Sequence, residues 1–373
     1  MRIAIIADFP VWCLPNMEKF PRHFPYATWF EPLIPEFSGF QDLEINWITA
    51  SKGTDKDLLH RAHNQNFHIL ARGSKAVQMA TGYIGECRRI RKVIRRIQPD
   101  LVHAWGSEDV HGIAGAFSGV DRRIFTLQGC LTEYQRLLGG SILFRLQTIY
   151  EKPTINRYHI ATAESPAAAD LLRVINPSLN ISLVEYGVSD IFFKAIWNPS
   201  EMPEILFIGT INNRKGISDL IEAASSPDLA HVKIKIIGQG ELSDQLKAIS
   251  KSNVEWIGKC ERLEIIKHLE TAWSLVIPTY SDTGPTVIKE ARVVGLPVIT
   301  TTGAGASSYI QSSKCGLVIS PGDIDGLKSA ILEICSDRNN CIQLGKSGWQ
   351  THRKELHPSS TAAKFIDLYR RVM

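Results

Sequence analysis

Short β-branched apolar runs alternate with helix-patterned stretches from one end of the chain to the other, and that alternation leaves few folds open. The runs are residues 2–7, 101–105, 123–127, 159–163, 181–185, 204–209, 232–238, 273–278 and 297–301. Near-continuous apolar strands, separated by stretches long enough for a crossover helix, mark parallel sheet covered on both faces. The rhythm breaks at 189–203, where Trp197, Pro199 and Pro203 stand among polar residues, and it restarts with Glu-Ile-Leu-Phe-Ile-Gly at 204–209. We therefore expect an α/β architecture of two doubly wound, Rossmann-like domains, residues 1–190 and 204–350, facing each other across a cleft at the carboxyl ends of their strands, where ligands bind. A chain of 373 residues, 44% hydrophobic and 21% charged, has the length and composition for two soluble domains.

Several function classes fall away. The cysteines, at 13, 87, 130, 260, 315, 335 and 341, are scattered without a Cys-x-x-Cys pair or a His-rich partner, so neither a disulfide framework nor a zinc site is expected, and a reducing cytoplasm is the expected location. The N-terminal Met-Arg-Ile-Ala-Ile-Ile-Ala meets Asp8 and Pro10 before a signal core forms, and no run approaches the ~18 apolar residues a bilayer span needs, so neither secretion nor a transmembrane anchor is expected. A net charge of +4 permits contact with anionic lipids or phosphate-bearing substrates and does not imply nucleic acid. Charge concentrates at Arg88, Arg89, Arg91, Lys92, Arg95 and Arg96, interleaved with Ile90, Val93, Ile94 and Ile97 at helical spacing. That stretch is either a solvated helix face or a peripheral docking surface for an anionic membrane, the latter useful if the acceptor is a lipid-linked sugar.

The segment 278–299 carries the most chemistry. It follows the apolar run 273–278 with Asp282, then Gly284-Pro285-Thr286, a flexible turn with a proline suited to the first helical position, then Glu290. Backbone N–H groups and the positive end of a helix dipole attract phosphate there, while a carboxylate on each side can accept hydrogen bonds from sugar hydroxyls. Asp282 could equally be a helix cap.

This segment resembles the signature of family 4 of the retaining GT-B glycosyltransferases (glycosyl transferases group 1): Pro278-Thr279, an acid at Asp282, Glu290-Ala291, and Gly295-Leu296-Pro297-Val298. The resemblance implies that Asp282, one methylene shorter than the family's Glu, holds the donor sugar's hydroxyls and that Glu290 holds the ribose. In family order precede Gly209, Thr210, Arg214, Lys215 and Gly216, then Gly238 in Gly-x-Gly, then Gly258-Lys259, whose backbone the resemblance places by the nucleobase. Lys215, at a glycine-flanked helix start, is the expected diphosphate ligand. Thr210 stands where the family has an arginine, with Arg214 as the nearby compensating charge. The resemblance also implies that the last helix, a candidate at 352–371, crosses back to the first domain.

The first half matches more loosely. Pro99-Asp100-Leu101-Val102-His103 resembles a family strand, and Gln128-Gly129 stands where a histidine is usual, so Gln128 can offer the donor sugar an amide but no charge. His103, Trp105, Glu108 and His111 are expected to cluster just past a strand end, each by itself a packing or capping residue and as a group acceptor contacts. The long segment from Asp8 to Pro35, crowded with Trp12, Phe20, His23, Phe24, Tyr26, Trp29 and Phe30, either stacks on sugar faces or fills its own small core.

The resemblance implies transfer of a glycosyl group, with retention, from a nucleoside diphosphate sugar to a hydroxyl of a glycan or lipid-linked sugar, in polysaccharide or glycoconjugate synthesis, without metal or cofactor. Asp55-Lys56-Asp57 and Asp323-Ile324-Asp325 fit turns or a helix cap better than a metal site. A non-catalytic sugar-nucleotide-binding subunit and an epimerase or phosphorylase on the same fold are the alternatives. A Rossmann oxidoreductase is disfavoured, because no Gly-x-Gly-x-x-Gly follows the first strand.

Overall fold

A computed structural model describes residues 1–21, 27–74, 77–78, 81–139 and 142–373. The chain forms two units, Met1–Gly187 with Pro358–Met373, and Val188–His357. Residues 189–203, where the sequence rhythm breaks, belong to the second unit: Phe192 is buried in its core, and Trp197 Nε1 donates to Ala272 O.

The first unit holds an eight-stranded sheet: β1 (Arg2–Ile6), β2 (Glu44–Ser51), β3 (Leu58–Ala62), β4 (Gln65–Ala71), β5 (Leu101–Trp105), β6 (Arg123–Thr126), β7 (Ile160–Ala163) and β8 (Asn180–Leu183). Its order is β3-β4-β2-β1-β5-β6-β7-β8, parallel except for the β3–β4 hairpin. The expected runs omit β2, β3 and β4, whose apolar residues are interrupted by Asn46, His60, Arg61, Asn66 and His68. The hairpin turns through His63 and Asn64, both at positive φ, where an Asn-Gly pair would have announced the turn. Successive residues of β1 face opposite sides, so Ile3 and Ile5 enter one core with Trp47 and Phe67, and Ala4 and Ile6 enter the other with Ile90 and Phe125.

The second unit holds a six-stranded, all-parallel sheet: β9 (Glu204–Ile208), β10 (Lys233–Ile237), β11 (Val254–Gly258), β12 (Ser274–Ile277), β13 (Val298–Thr301) and β14 (Gly316–Ile319), in the order β11-β10-β9-β12-β13-β14. Leu206, Ile236, Val276 and Ile299 lie in one core. Each such buried side chain contributes about 1.5–3 kcal/mol. The chain winds outward from β9 through β10 to β11, then returns to β12 on the other side of β9. That reversal opens a crevice between the carboxyl ends of β9 and β12, the place where open α/β sheets bind ligands.

The helix expected over 352–371 is two helices, Trp349–Glu355 and Pro358–Val372. The break falls at His357-Pro358, because proline lacks an N–H, disfavours the helical region for the residue before it, and suits the first position of a new helix. The second of the two belongs to the first unit, where Phe365 and Tyr369 are buried.

Candidate active site

The loops leaving β9 and β12 are bolted together at the crevice. After β9, Asn212 caps a short 3-10 turn by accepting from Lys215 N at 3.2 Å, and Gly216 follows at φ +66. Glycine is required there, since a Cβ would lie 1.9 Å from Pro278 O at the exit of β12. Tyr280 N and Thr279 Oγ1 both donate to Arg214 O, at 2.8 and 2.9 Å. Two cations are thereby delivered to one acid. Lys215 Nζ donates to Asp282 Oδ2, and Arg214 Nη1 donates to Ser281 O at 2.8 Å and stands 3.4 Å from the same carboxylate oxygen. Asp282, Lys215 and Arg214 are only 12%, 15% and 18% exposed, so water screens this triad weakly. Burial pushes the Asp282 carboxyl up, but Lys215 and then Arg214 outweigh it and hold the carboxyl below its ordinary value.

Asp282 is not a helix cap. Helix Thr286–Val294 has Pro285 as its N-cap, one position earlier than expected for the proline, with no side-chain cap bond and no acid in its first turn. Asp282 instead accepts from Gly284 N at 3.3 Å, while its backbone is pinned to the loop after β13 through Asp282 N to Gly303 O and Gly305 N to Asp282 O. The helix start, with N–H groups ahead of its internal ladder, thus lies beside two cations. Glu290 sits one turn further along, and burial pushes its carboxyl up to about 7 against the opposing pull of Arg262 and Lys289.

Strand-exit glycines form the rest of the rim. Gly238 has φ +139, and a Cβ on it would lie 1.9 Å from Gly209 O; Gly238 N in turn donates to Gly258 O at 2.8 Å. Thr210 is exposed on the β9 loop. Lys259 is exposed at the exit of β11, two strands from β9.

In the first unit, Glu108 and Gln128 meet over Gly106: a Cβ there would lie 2.3 Å from Glu108 Oε2 and 2.7 Å from Gln128 Oε1. Burial pushes the Glu108 carboxyl up to about 7, with nearby Glu151 adding to the rise. His111 is buried in helix Val110–Ala116, and burial pushes its imidazole down to about 4, so it is neutral at pH 7. His103 and Trp105 correct the expectation. Both lie within β5; His103 has no exposed surface, and its ring nitrogens bond Tyr369 Oη at 2.7 Å and Thr126 Oγ1 at 2.6 Å. His103 is a core polar group with its valences filled, so it is withdrawn as an acceptor contact. Trp105 packs against Phe30 and Tyr186. Phe20 and Phe30 of the aromatic segment are buried in the same core, whereas His23, Phe24 and Tyr26 lie outside the described residues.

Sequence reasoning missed Glu151. Its buried carboxylate accepts from Ser107 Oγ at 2.7 Å and from Leu131 N and Thr132 N at 2.8 Å each, closing the start of helix Leu131–Leu138.

Residues 189–351 match the family model of glycosyl transferases group 1. That segment resembles the glycosyl transferases group 1 domain. It contains Lys215, Asp282 and Glu290. Curated relatives include the glycogen synthase of Mycobacterium tuberculosis, 24% identical over 141 residues that make up 36% of this chain and 34% of the relative. A GDP-mannose-dependent phosphatidylinositol monomannoside mannosyltransferase of the same organism is 24% identical over 184 residues, 46% of this chain and 48% of the relative. The chain spans about half or less of the length of such relatives. Among solved structures, sucrose-phosphate synthase from Thermosynechococcus elongatus superposes with a TM-score of 0.79 at 17% identity, covering 100% of this chain and 98% of that one. Anabaena Alr3699/HepE in complex with UDP-glucose superposes at 0.72 and 13%, covering 100% of both. The fold is GT-B, and the residues that match the group 1 model lie in its second unit.

Proposed function

We propose that the protein transfers a glycosyl group from a nucleoside diphosphate sugar to a hydroxyl acceptor, with retention of configuration. The observation that carries this reading is the convergence of Lys215, Arg214 and Asp282 on the uncapped start of helix Thr286–Val294, at the reversal point of the second sheet. Charge grows on the departing phosphate oxygen, and donors preorganised for it lower the barrier. In this role Lys215 and Arg214 supply full charges, and the N–H groups of Thr286 and Val287, at the helix start, supply partial ones. Asp282 holds sugar hydroxyls, Glu290 the ribose, and the backbone near Gly209, Gly238 and Lys259 the nucleoside. With two cations already at the phosphate seat, the chemistry calls for no added metal.

Relatives support the donor class without fixing the base, since one is named GDP-mannose-dependent and a structural neighbour holds UDP-glucose. Acceptor contacts are assigned to Glu108 and His111, and an amide contact with the donor sugar to Gln128. The acceptor is a glycan or lipid-linked sugar. Helix Ile84–Ile97 supports peripheral membrane contact, because Arg88, Arg91, Lys92, Arg95 and Arg96 are exposed while Ile90, Val93, Ile94 and Ile97 are buried. No helix of the described residues is long and apolar enough to cross a membrane.

A thermal-shift panel of nucleoside diphosphate sugars tests the donor site, since a ligand that binds only the folded state raises the melting temperature. The stabilising donor, incubated with acceptor pools, should yield a product whose anomeric configuration is that of the donor. Binding without turnover would make the protein a non-catalytic subunit, and inversion would refute retention.

A further inference from the structure

A cluster of metal-ligating side chains lies away from the Lys215–Asp282 triad. Cys260, Glu264 and His268 recur every fourth residue, which puts them on one face of helix Arg262–Thr271 and the segment leading into it. Gly258, at φ +88, turns the chain off β11 just before Cys260. The thiol sulfur, a carboxylate oxygen and a ring nitrogen lie within 4.8 Å of one another, the only such group among the described residues.

We propose that Cys260, Glu264 and His268 bind one zinc-class divalent cation on the outer face of this helix. A tetrahedral zinc with sulfur at ~2.3 Å and nitrogen or oxygen at ~2.0–2.1 Å sets its donors about 3.3–3.6 Å apart. Side-chain rotations of about an ångström close the observed set to that size, and these side chains have room to make them. Cys260 and His268 are half-buried and Glu264 is exposed, so the ion has an entry path. Sulfur, nitrogen and oxygen together select a borderline ion such as Zn²⁺ or Co²⁺ over Ca²⁺ or Mg²⁺, which require oxygen ligands. Three protein ligands leave the fourth position to water. The neighbouring charges of the sheet are internally matched, Lys233 to Glu255 and Lys235 to Glu204 at 2.7 Å each, so they do not compete for the three ligands. A bound ion staples the exit of β11 to the second turn of the helix.

The test is titration of the reduced, metal-free full chain with Co²⁺, followed by absorption. One equivalent should give a thiolate-to-cobalt charge-transfer band with visible bands of tetrahedral intensity, reversed by Zn²⁺. Cys260→Ser should remove the charge-transfer band and Cys13→Ser should keep it, while Glu264→Ala and His268→Ala should each weaken binding by about 10-fold or more. Zn²⁺ should raise the melting temperature of the wild type and not of Cys260→Ser, and without metal Glu264→Ala and His268→Ala should melt like the wild type because neither residue belongs to the core cluster, which Cys260 flanks. Absence of the band at one equivalent overturns the site. So does a Co²⁺ affinity that either Glu264→Ala or His268→Ala leaves unchanged, since that is binding by a thiol alone.

Discussion

Lys215 Nζ donates a hydrogen bond to Asp282 Oδ2, so the cation assigned to the leaving diphosphate and the acid assigned to the donor sugar are partners in this structure. A diphosphate arriving at the start of helix Thr286–Val294 competes with Asp282 for the same ammonium. Both charges are shielded, and neither exchange partner is held by bulk water.

Asp282→Asn should therefore separate binding from transfer. Removing the carboxylate's charge frees Lys215 and Arg214 for phosphate, and nucleoside diphosphate should bind about 10-fold tighter, equal to about 1.4 kcal/mol. Transfer should fall at least as far, because the amide grips sugar hydroxyls less strongly than a carboxylate. Calorimetric titration of the diphosphate and initial rates give the two numbers. Weaker diphosphate binding with normal rates would remove Asp282 from the site.

Lys215→Ala should cut kcat/KM by about 10²–10³, the usual loss when one preorganised donor to a developing oxyanion is removed. The protein should still fold but melt lower, since Lys215 lies outside the core cluster while its loss leaves the shielded Asp282 carboxylate to Arg214 alone. A wild-type rate in this variant would sink the donor-site assignment.

Glu290 predicts a pH dependence. Its carboxyl is raised from 4.5 to about 7 in the folded protein, mainly by burial, so the native state holds the proton more tightly than the unfolded chain does. Stability from this group is full below about 4.5 and is lost as pH rises through about 7. Glu290→Gln should abolish that loss, so its stability relative to the wild type should grow between pH 5 and 8 by about 1–3 kcal/mol. Donor affinity should move the other way: under the proposed assignment a ribose hydroxyl donates to the ionised carboxylate, so binding to the wild type should strengthen as pH rises through about 7. Urea melts and donor titrations at both ends of the range check the signs.

The group 1 segment was legible because its chemistry is local. Lys215, Asp282, Gly284 and Glu290 stand at strand exits and a helix start that glycine, proline and apolar runs mark in the sequence itself. His103 misled because a histidine between apolar neighbours looks available, while the tyrosine that fills its valence stands 266 residues away. Glu151 stayed hidden for the converse reason, since a glutamate within a helix looks solvated unless the loop that folds onto it is known. Strands β2 to β4 were unread because a His-Asn turn carries no glycine and their polar residues blur the alternation.

Glu151→Ala should destabilise the first unit by about 3 kcal/mol, because Leu131 N, Thr132 N and Ser107 Oγ lose their buried acceptor together. Glu151→Gln keeps an acceptor oxygen and should recover a large part of the loss. The same loop carries Gln128 and Gly129, so the alanine variant should also alter KM for the donor. Equal melts for the two variants would show that the carboxylate does not organise the loop.

Gly216→Ala should be the most damaging single change at the crevice. The residue sits at φ +66, which costs an L-residue roughly 1–2 kcal/mol, and the new methyl would lie 1.9 Å from Pro278 O, far inside contact distance. Relief requires the β9 loop to move away from β12. That movement breaks the bonds from Tyr280 N and Thr279 Oγ1 to Arg214 O and withdraws Lys215 from Asp282. Folding stability should fall by about 3 kcal/mol, and donor affinity should fall with it even well below the melting temperature. If Gly216→Ala loses no more stability than the roughly 1–2 kcal/mol of backbone cost and binds donor normally, the close approach of the two loops does not hold the triad in place.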